Sequence, residues 1–290
     1  MYTAEISRKH PACLLLLIDQ SYSMGETWPD VGGSKAEYLA LIVNRVLGSA
    51  SLLCSKGDDR FHDYFDVGVI GYGGTVDSLL HGADFDRPLL PISEVANNPR
   101  RIDQILKKIP DGAGGVVEQT ISSPVWIDPE TNGATPMVAA LAAAESVVTQ
   151  WCAAHPASLP PIVINLTDGV STDGDPAEAA ARLRTVMTDD GPVLLFNVHI
   201  SALSNHQVLF PDSAAGLPDR YAVKLFDMSS VLPAGMKDAA ASFGYSIAPE
   251  SRGFLYNAQA AVVTEFLDIG TRAATPTGLR ELTDGTSAAG

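Results

Sequence analysis

The feature that most constrains the fold of this chain is a run of consecutive apolar residues at 12–18 that ends abruptly at Asp19. A short run without polar alternation is typical of a strand buried on both faces of a parallel sheet. A membrane-spanning helix needs about 20 apolar residues, so this run is too short for one. The run also lacks a small-residue cleavage site after it, which argues against a signal peptide.

Strand-like and helix-like segments alternate along the rest of the chain. Ser34 and Glu37 form a capping box ahead of a predicted helix at 35–54. Further strands are predicted at 65–72, 161–166, 193–200 and 254–256, and further helices at 134–152, 175–187, 236–243 and 258–272. This alternation predicts an α/β fold with a doubly wound, mostly parallel central sheet flanked by helices.

Two stretches interrupt the alternation, near residues 83–133 and 201–221. The first is predicted to hold one helix at 102–109 and otherwise loop, and the second is polar and contains prolines. No linker separates two halves of the chain. We therefore expect one domain over residues 1–274 with two insertions, followed by a flexible tail of small and polar residues at 275–290.

Charge and cysteine content limit the class of protein. The 290 residues include 34 acidic and 19 basic side chains, a formal net charge of −15, which disfavours binding to a phosphate backbone. Cys13, Cys54 and Cys152 are odd in number and lie in apolar segments, as expected of buried free thiols in a reducing compartment. We expect a cytoplasmic protein that binds neither nucleic acid nor membrane.

Asp19, Ser21 and Ser23 alternate at the end of the first predicted strand, in the segment Asp19-Gln20-Ser21-Tyr22-Ser23. Ligands of doubly wound sheets bind at the carboxyl ends of the strands. The alternate placement of Asp19, Ser21 and Ser23 allows their oxygens to converge on one point. Taken alone, the triplet is better explained by a polar strand-to-loop turn stabilised by local hydrogen bonds.

Two more segments are expected to reach the same sheet edge. Thr135 precedes Pro136 at the start of a predicted helix, and Asp168 follows the predicted strand at 161–166. With these residues, the candidate ligand set contains only oxygen donors, which suit a hard cation, Mg²⁺ best of all. Two carboxylates neutralise one divalent ion, and three hydroxyls add no charge. Such a site leaves room for a carboxylate from outside.

The segments Asp19-x-Ser21-x-Ser23, Gly133-Ala134-Thr135-Pro136 and Thr167-Asp168-Gly169 resemble, in order and separation, the von Willebrand factor A (VWA) family. The resemblance extends from about residue 12 to residue 272. It implies a nucleotide-binding-like, Rossmann-like fold with a metal-ion-dependent adhesion site (MIDAS) formed by the equivalent positions. The candidate metal residues are Asp19, Ser21, Ser23, Thr135 and Asp168.

The family resemblance also implies a function. Its members hold Mg²⁺ or Mn²⁺, with Ca²⁺ less favoured, and use an acidic residue of a protein partner as the last ligand. Bacterial cytoplasmic members work beside AAA+ ATPases or with kinases and phosphatases, and nothing in this sequence selects among those settings. We therefore expect a protein-interaction module without catalytic activity.

The alternative function is a metal-dependent phosphohydrolase on the same type of fold. Phosphoryl transfer requires a nucleophilic Asp with a second acid two residues later and a lysine near the phosphate. Ser21 stands where the second acid is required, and no lysine lies close in sequence to Thr135 or Asp168. The sequence therefore favours binding.

Residues around the candidate site suggest the chemistry of the partner. The predicted loops carry acidic side chains, at Glu26, Asp30, Asp111, Asp128, Glu130, Asp168 and Asp173. We expect a partner that presents one carboxylate surrounded by basic residues, unless these acids only solvate the loops. Trp28 is either a contact residue or a lid packed on its own domain, and His199 is expected to be a core residue.

Overall fold

The computed structural model describes residues 2–28, 32–55, 60–81, 87–110, 115–201 and 206–258, with residues 262, 263, 265 and 266. The strands are β1 Ala12–Asp19, β2 Thr27–Trp28, β3 Gly33–Ser34, β4 Phe65–Tyr72, β5 Val76–Ser78, β6 Leu90–Pro91, β7 Arg101–Pro110, β8 Val116–Val125, β9 Ile162–Thr167, β10 Met187–Thr188, β11 Gly191–Pro192, β12 Leu194–His199, β13 Val208–Leu209 and β14 Phe254–Tyr256. The helices are α1 Lys35–Leu53, α2 Ile92–Asn97, α3 Met137–Ala154, α4 Ala177–Leu183, α5 Arg220–Met228 and α6 Ala234–Ser242, with a short 3₁₀ helix at Tyr22–Gly25.

The central sheet is mixed but mostly parallel. Its order is β13-β14-β12-β9-β1-β4-β5, with β6 also paired to β4. The strands from β14 to β4 run parallel to their neighbours, and β13, β5 and β6 are antiparallel additions at the margins. The first strand therefore lies inside the sheet, where its carboxyl end has a parallel neighbour on each side.

Helices cover both faces of this sheet, so β1 is buried along its whole length, as its apolar run predicts. Leu14, Leu16 and Ile18 belong to the core that α1 covers. Leu15 and Leu17 belong to the core on the other face, which α3, α4 and α5 cover. Alternate side chains of one strand thus supply two separate cores, because a strand directs successive side chains to opposite faces.

Local sequence signals set the ends of several elements. The Ser34 side chain accepts a 3.1 Å hydrogen bond from the Glu37 amide, and Glu37 accepts one from the Ser34 amide, so the predicted capping box opens α1. Strand β14 coincides with the predicted strand at 254–256. The helix predicted at 175–187 ends earlier, at Leu183, because Met187 and Thr188 pair with β11.

The helix predicted at 102–109 is wrong. Residues 101–110 form strand β7, which pairs antiparallel with β8 over its full length. Ile102, Ile105 and Leu106 have helical spacing but are 57%, 43% and 71% exposed, so no core surface was available to bury a helical apolar face. Cross-strand pairing, including Ile105 opposite Ile121, stabilises the ribbon instead.

Other sequence expectations have mixed outcomes. The three cysteines are buried and free, as predicted, and burial raises the pKa of Cys54 to about 12. Most of the helix predicted at 258–272 and the tail at 275–290 lie outside the described residues, although 262, 263, 265 and 266 are helical.

Two described helices, α1 and α3, are long and apolar enough to cross a membrane by length and composition, and each packs against the sheet in this fold.

Candidate functional site

The carboxyl ends of β1, β4 and β9 meet at one edge of the sheet. Asp19 pairs in register with Tyr72 of β4, and Ile18 pairs with Leu166 of β9. The residues that follow Leu166, namely Thr167 and Asp168, therefore lie beside Asp19. This register brings together two of the three predicted segments.

Asp19 is almost completely buried, at 1% exposure. Its Oδ1 accepts a 2.9 Å hydrogen bond from the Ser21 amide, and its Oδ2 accepts a 2.7 Å bond from the Thr167 hydroxyl. Burial and, to a lesser extent, the negative charge of Asp168 raise the pKa of Asp19 to about 6, although the hydrogen bonds from Ser21 and Thr167 oppose both effects. The negative charge of Asp168 therefore acts on Asp19 in a poorly solvated environment.

Ser21 and Ser23 present their hydroxyls side by side. Their Oγ atoms are 3.0 Å apart, on the turn into the 3₁₀ helix Tyr22–Gly25. Met24 is fully buried and anchors this turn, whereas Tyr22 between the two serines is 71% exposed. The two hydroxyls therefore lie on one side of the turn, and Tyr22 faces solvent.

Backbone hydrogen bonds hold the Thr135 segment against the same loop. The Tyr22 amide donates to the Gly133 carbonyl at 3.1 Å, and the Thr135 amide donates to the Thr172 hydroxyl at 2.9 Å. Thr135 is 3% exposed, and its carbonyl accepts from the Met137 amide at 2.8 Å. Thr135 therefore lies two residues before α3, which begins three residues later than the helix predicted at 134–152.

Glycines permit the close approach of these loops. A side chain on Gly73 would place its Cβ 2.4 Å from the Asn132 carbonyl oxygen, and one on Gly133 would lie 2.6 Å from the backbone of Gly74. Gly133 also has a φ of +76°, a conformation that favours glycine. The glycines after β4 therefore serve loop packing.

The two carboxylate oxygens of Asp168 differ in their contacts. Its Oδ2 lies 3.4 Å from Nζ of Lys35, whereas its Oδ1 is buried and has no hydrogen-bond partner among the described residues. The Asp168 carbonyl accepts a 2.8 Å hydrogen bond from Nε2 of His199. Lys35 and His199 therefore hold Asp168 through its Oδ2 atom and its backbone carbonyl, and its Oδ1 atom has no such contact.

Lys35 is the residue at this site that the sequence interpretation missed. It is the first residue of α1, is 3% exposed, and also forms a 2.8 Å ion pair with Glu26. The β2–β3 pairing brings Glu26 opposite Lys35, since the Lys35 amide donates to the Glu26 carbonyl at 3.0 Å. No spacing rule links Lys35 to Asp168, which is 133 residues away in sequence.

Several acids expected to surround the site are engaged within the chain. Glu26 pairs with Lys35, Asp128 pairs with Arg100 and Arg101, and Asp173 accepts amide hydrogen bonds from the first turn of α3. Asp30 and Asp111 lie outside the described residues. The acidic loops are thus partly neutralised, which weakens the expectation of a basic surround on the partner.

Trp28, which the sequence left open, takes a structural role, and so does His199, which the sequence predicts to be a core residue. Trp28 is 5% exposed and stacks on Tyr38 with ring centroids 5.3 Å apart, so it is a lid packed on its own domain. His199 is 1% exposed and lies edge-on to Tyr256, and burial lowers its pKa. Within the described part of the chain its Nδ1 has no hydrogen-bond partner, so His199 is a core residue that contacts the site through the Asp168 carbonyl.

The chemistry available to the site is that of oxygen donors. Within the ranges that the structure describes, no group of three or more His, Cys, Asp or Glu side chains converges in a metal-binding arrangement. The candidate centre instead combines two carboxylates with three hydroxyls. Such a donor set suits hard cations and offers nothing to soft ones.

Comparison with known proteins shows weak similarity to solved structures only. No protein-family model matches the sequence, and no curated protein shows significant similarity to it. The mussel byssus proximal thread matrix protein 1 is 13% identical, with a TM-score of 0.45, over 93% of this chain and 49% of that one. The pilus adhesin SpaC of Lactobacillus rhamnosus GG is 14% identical, with a TM-score of 0.48, over 91% of this chain and 30% of that one.

A third structure, the manganese-loaded TRAP protein of Plasmodium vivax, is 15% identical with a TM-score of 0.44, over 89% of this chain and 72% of that one. The chain thus spans about half of the mussel protein and less than a third of the pilus adhesin. At these values the comparisons assign no family.

Proposed function

We propose that this chain is a metal-dependent protein-binding domain with a doubly wound VWA-type fold. It holds one Mg²⁺ or Mn²⁺ and captures a carboxylate of a partner protein as the remaining ligand. The ligands of the ion are Asp19, Ser21, Ser23, Thr135 and Asp168. The setting that we propose is the cytoplasm, where the partner belongs to an AAA+ ATPase, kinase or phosphatase system.

The observation that carries this proposal is the Oδ1 atom of Asp168, which is buried and accepts no hydrogen bond from the residues that the structure describes. A buried, unpaired carboxylate oxygen costs free energy, so native proteins supply it with a partner. Asp168 is near enough to Asp19 for its negative charge to raise the pKa of the Asp19 carboxyl. A divalent cation held by these residues would offset both costs.

The fit of the donor set supports a hard ion. Both carboxylates are nearly excluded from solvent, and the paired hydroxyls of Ser21 and Ser23 stand on the loop that leaves Asp19. A bound divalent cation supplies Lewis acidity toward an incoming oxygen ligand. The chain's own residues orient the site: Thr167 and the Ser21 amide fix the Asp19 carboxylate, and Lys35 and His199 fix Asp168.

One observation bears on the alternative, a phosphohydrolase. The sequence argument that no lysine accompanies the site does not hold in space, because Lys35 contacts Asp168. However, the Lys35 side chain is only 4% exposed and is paired to two carboxylates, so it is not free to bind a phosphate. Ser21 still occupies the position of the second acid. We therefore retain binding as the function.

The test is titration of the purified protein with MgCl₂ and MnCl₂ by calorimetry. We expect about one ion per chain, and we expect Asp19→Ala to abolish binding while circular dichroism stays native. Asp238→Asn, an exposed acid on α6, is the matched control and should bind normally. Absence of binding by the folded native protein contradicts the proposal.

A second measurement separates binding from catalysis. We expect no hydrolysis of p-nitrophenyl phosphate or ATP above background with Mg²⁺ or Mn²⁺ present. Metal-dependent turnover that disappears in Asp19→Asn would establish the phosphohydrolase instead. A partner isolated from native cells should be released by a chelator, and replacing one of its acids should abolish capture.

A further inference from the structure

We propose that Lys35 sets the charge of the metal site: its buried ammonium weakens metal binding and in return makes the loaded site attract an anionic partner. This inference rests on the proposed function and adds to it a residue that none of the sequence motifs contains. It follows from the position of Lys35, from its partners and from a count of charges.

Burial of Lys35 requires compensation. An ammonium group withdrawn from water is costly unless carboxylates surround it. The Lys35 side chain is 4% exposed, and its described partners are Glu26 at 2.8 Å and Asp168 at 3.4 Å. Glu26 is 62% exposed at its side chain, whereas Asp168 is 6% exposed. The poorly solvated half of this ion-pair network is therefore the contact with Asp168.

The same contact orients Asp168. Lys35 occupies the Oδ2 side of the carboxylate, so the remaining oxygen, Oδ1, is the one left without a partner. Both oxygens of Asp19 already accept hydrogen bonds, from the Ser21 amide and the Thr167 hydroxyl. Lys35 thus acts as a positioning residue that determines which carboxylate oxygen is available to a cation.

The charge count gives Lys35 a second effect. Asp19 and Asp168 carry two negative charges and Lys35 carries one positive charge. A divalent cation therefore leaves the buried centre with one net positive charge, which one partner carboxylate neutralises. Without Lys35 the loaded centre is already neutral, and an added carboxylate would make it negative. In a poorly solvated site, such differences of one charge are large.

The affinity of the site for Mn²⁺ and the affinity of the loaded site for a carboxylate should therefore change in opposite directions when the charge of Lys35 is removed. Lys35→Met keeps an unbranched apolar chain but loses the ammonium, so Mn²⁺ should bind at least about tenfold more tightly because one repulsive charge is gone. Acetate should bind the Mn²⁺-loaded variant at least about tenfold more weakly than it binds the loaded native protein. Lys35→Arg keeps the charge and should resemble the native protein in both affinities.

The experiment measures free Mn²⁺ by electron paramagnetic resonance and then acetate binding by the relaxation of water protons. Tighter Mn²⁺ with weaker acetate in Lys35→Met, together with native behaviour in Lys35→Arg, supports the proposal. A loss of packing alone weakens both affinities and so overturns it. Unchanged affinities in Lys35→Met overturn it as well.

A second variant keeps the proposal testable if Lys35→Met does not fold. Glu26→Gln changes an exposed side chain and removes the partial neutralisation of Lys35, so Mn²⁺ affinity should fall about threefold or more. Unchanged or tighter Mn²⁺ binding in Glu26→Gln overturns the proposal. If the native protein binds no Mn²⁺, the proposed function itself fails; if it binds Mn²⁺ and only the variants disagree, the Lys35 assignment alone fails.

Discussion

The Thr167 hydroxyl donates a 2.7 Å hydrogen bond to Oδ2 of Asp19, joining two buried residues that are 148 positions apart in sequence. The same Thr167 oxygen accepts a 3.0 Å bond from the Gly169 amide. One side chain therefore fixes the orientation of the Asp19 carboxylate and the turn that carries Asp168. Removing the Thr167 hydroxyl should therefore disturb both Asp19 and the turn that carries Asp168.

Thr167→Val tests this link, because valine keeps the shape and removes the hydroxyl. A hydrogen bond to a buried carboxylate contributes about 1.5–3 kcal/mol, so the free energy of unfolding in chelator at pH 7 should fall by about that amount. Urea denaturation measures the change. Thr149→Val, which removes an exposed hydroxyl on α3, is the control and should change stability by less than about 0.5 kcal/mol. Equal effects of the two substitutions would contradict this role of Thr167.

Asp19→Asn should change how stability depends on pH. The pKa of Asp19 is raised from 3.8 to about 6, so folding of the metal-free protein favours the protonated carboxyl. Its stabilising contribution is complete below about pH 3.8 and is lost as the pH rises through about 6, an effect of roughly 3 kcal/mol. In chelator at pH 7, Asp19→Asn should therefore unfold at a higher temperature than the native protein.

Added Mg²⁺ should reverse this ranking, because only the native carboxylate gains from the ion. Thermal denaturation in chelator and in excess Mg²⁺, at pH 4.5 and pH 7, provides the comparison. Asp238→Asn should follow the native protein in each condition. Parallel pH profiles for native protein and Asp19→Asn would show that Asp19 is not a strained carboxylate.

Gly133→Ala should separate loop packing from backbone strain. Gly133 and Gly216 both have positive φ, of +76° and +87°, so alanine is strained at either position. At Gly133 the new Cβ also meets the Gly74 backbone at 2.6 Å, whereas nothing lies within 4 Å at Gly216. We expect Gly216→Ala to cost about 1 kcal/mol and Gly133→Ala at least about 2 kcal/mol more, with weaker Mn²⁺ binding only in the latter. Equal costs would mean that the loop contact is not tight.

The β7–β8 ribbon should be dispensable for the site. Joining Ile102 to Pro124 through Asn-Gly removes residues 103–123 at a point where the two strands are in register. The segment that follows β8 stays attached to the domain, since Oδ1 of Asn44 accepts hydrogen bonds from the amides of Trp126 at 2.8 Å and Ile127 at 3.0 Å. We expect native Mn²⁺ affinity and a melting temperature within about 5 °C of the native value.

Asn44→Ala is the contrasting variant. It removes the hydrogen bonds to the amides of Trp126 and Ile127 while leaving the β7–β8 ribbon in place. It should destabilise the protein by about 2 kcal/mol. A shortened protein that fails to unfold cooperatively would show that the ribbon contributes to the core.

Local patterns in the sequence determined much of the fold. The uninterrupted apolar residues of β1 require burial on both faces, and Ser34 with Glu37 fixes the start of α1 through bonds that span only three residues. The order of Asp19, Ser21 and Ser23 after a strand likewise indicated the edge at which polar side chains gather. These features depend on neighbours in the chain, so a single sequence is enough to predict them.

Tertiary structure decided the rest. Residues 102–109 have helical spacing, but pairing with β8 replaced the helix because no core surface was there to cover an apolar face. The contact of Lys35 with Asp168 and the close approach of Gly73 to Asn132 join segments far apart in sequence. Their energies depend on desolvation and atomic contact, which exist only once the sheet has assembled, so no local pattern encodes them.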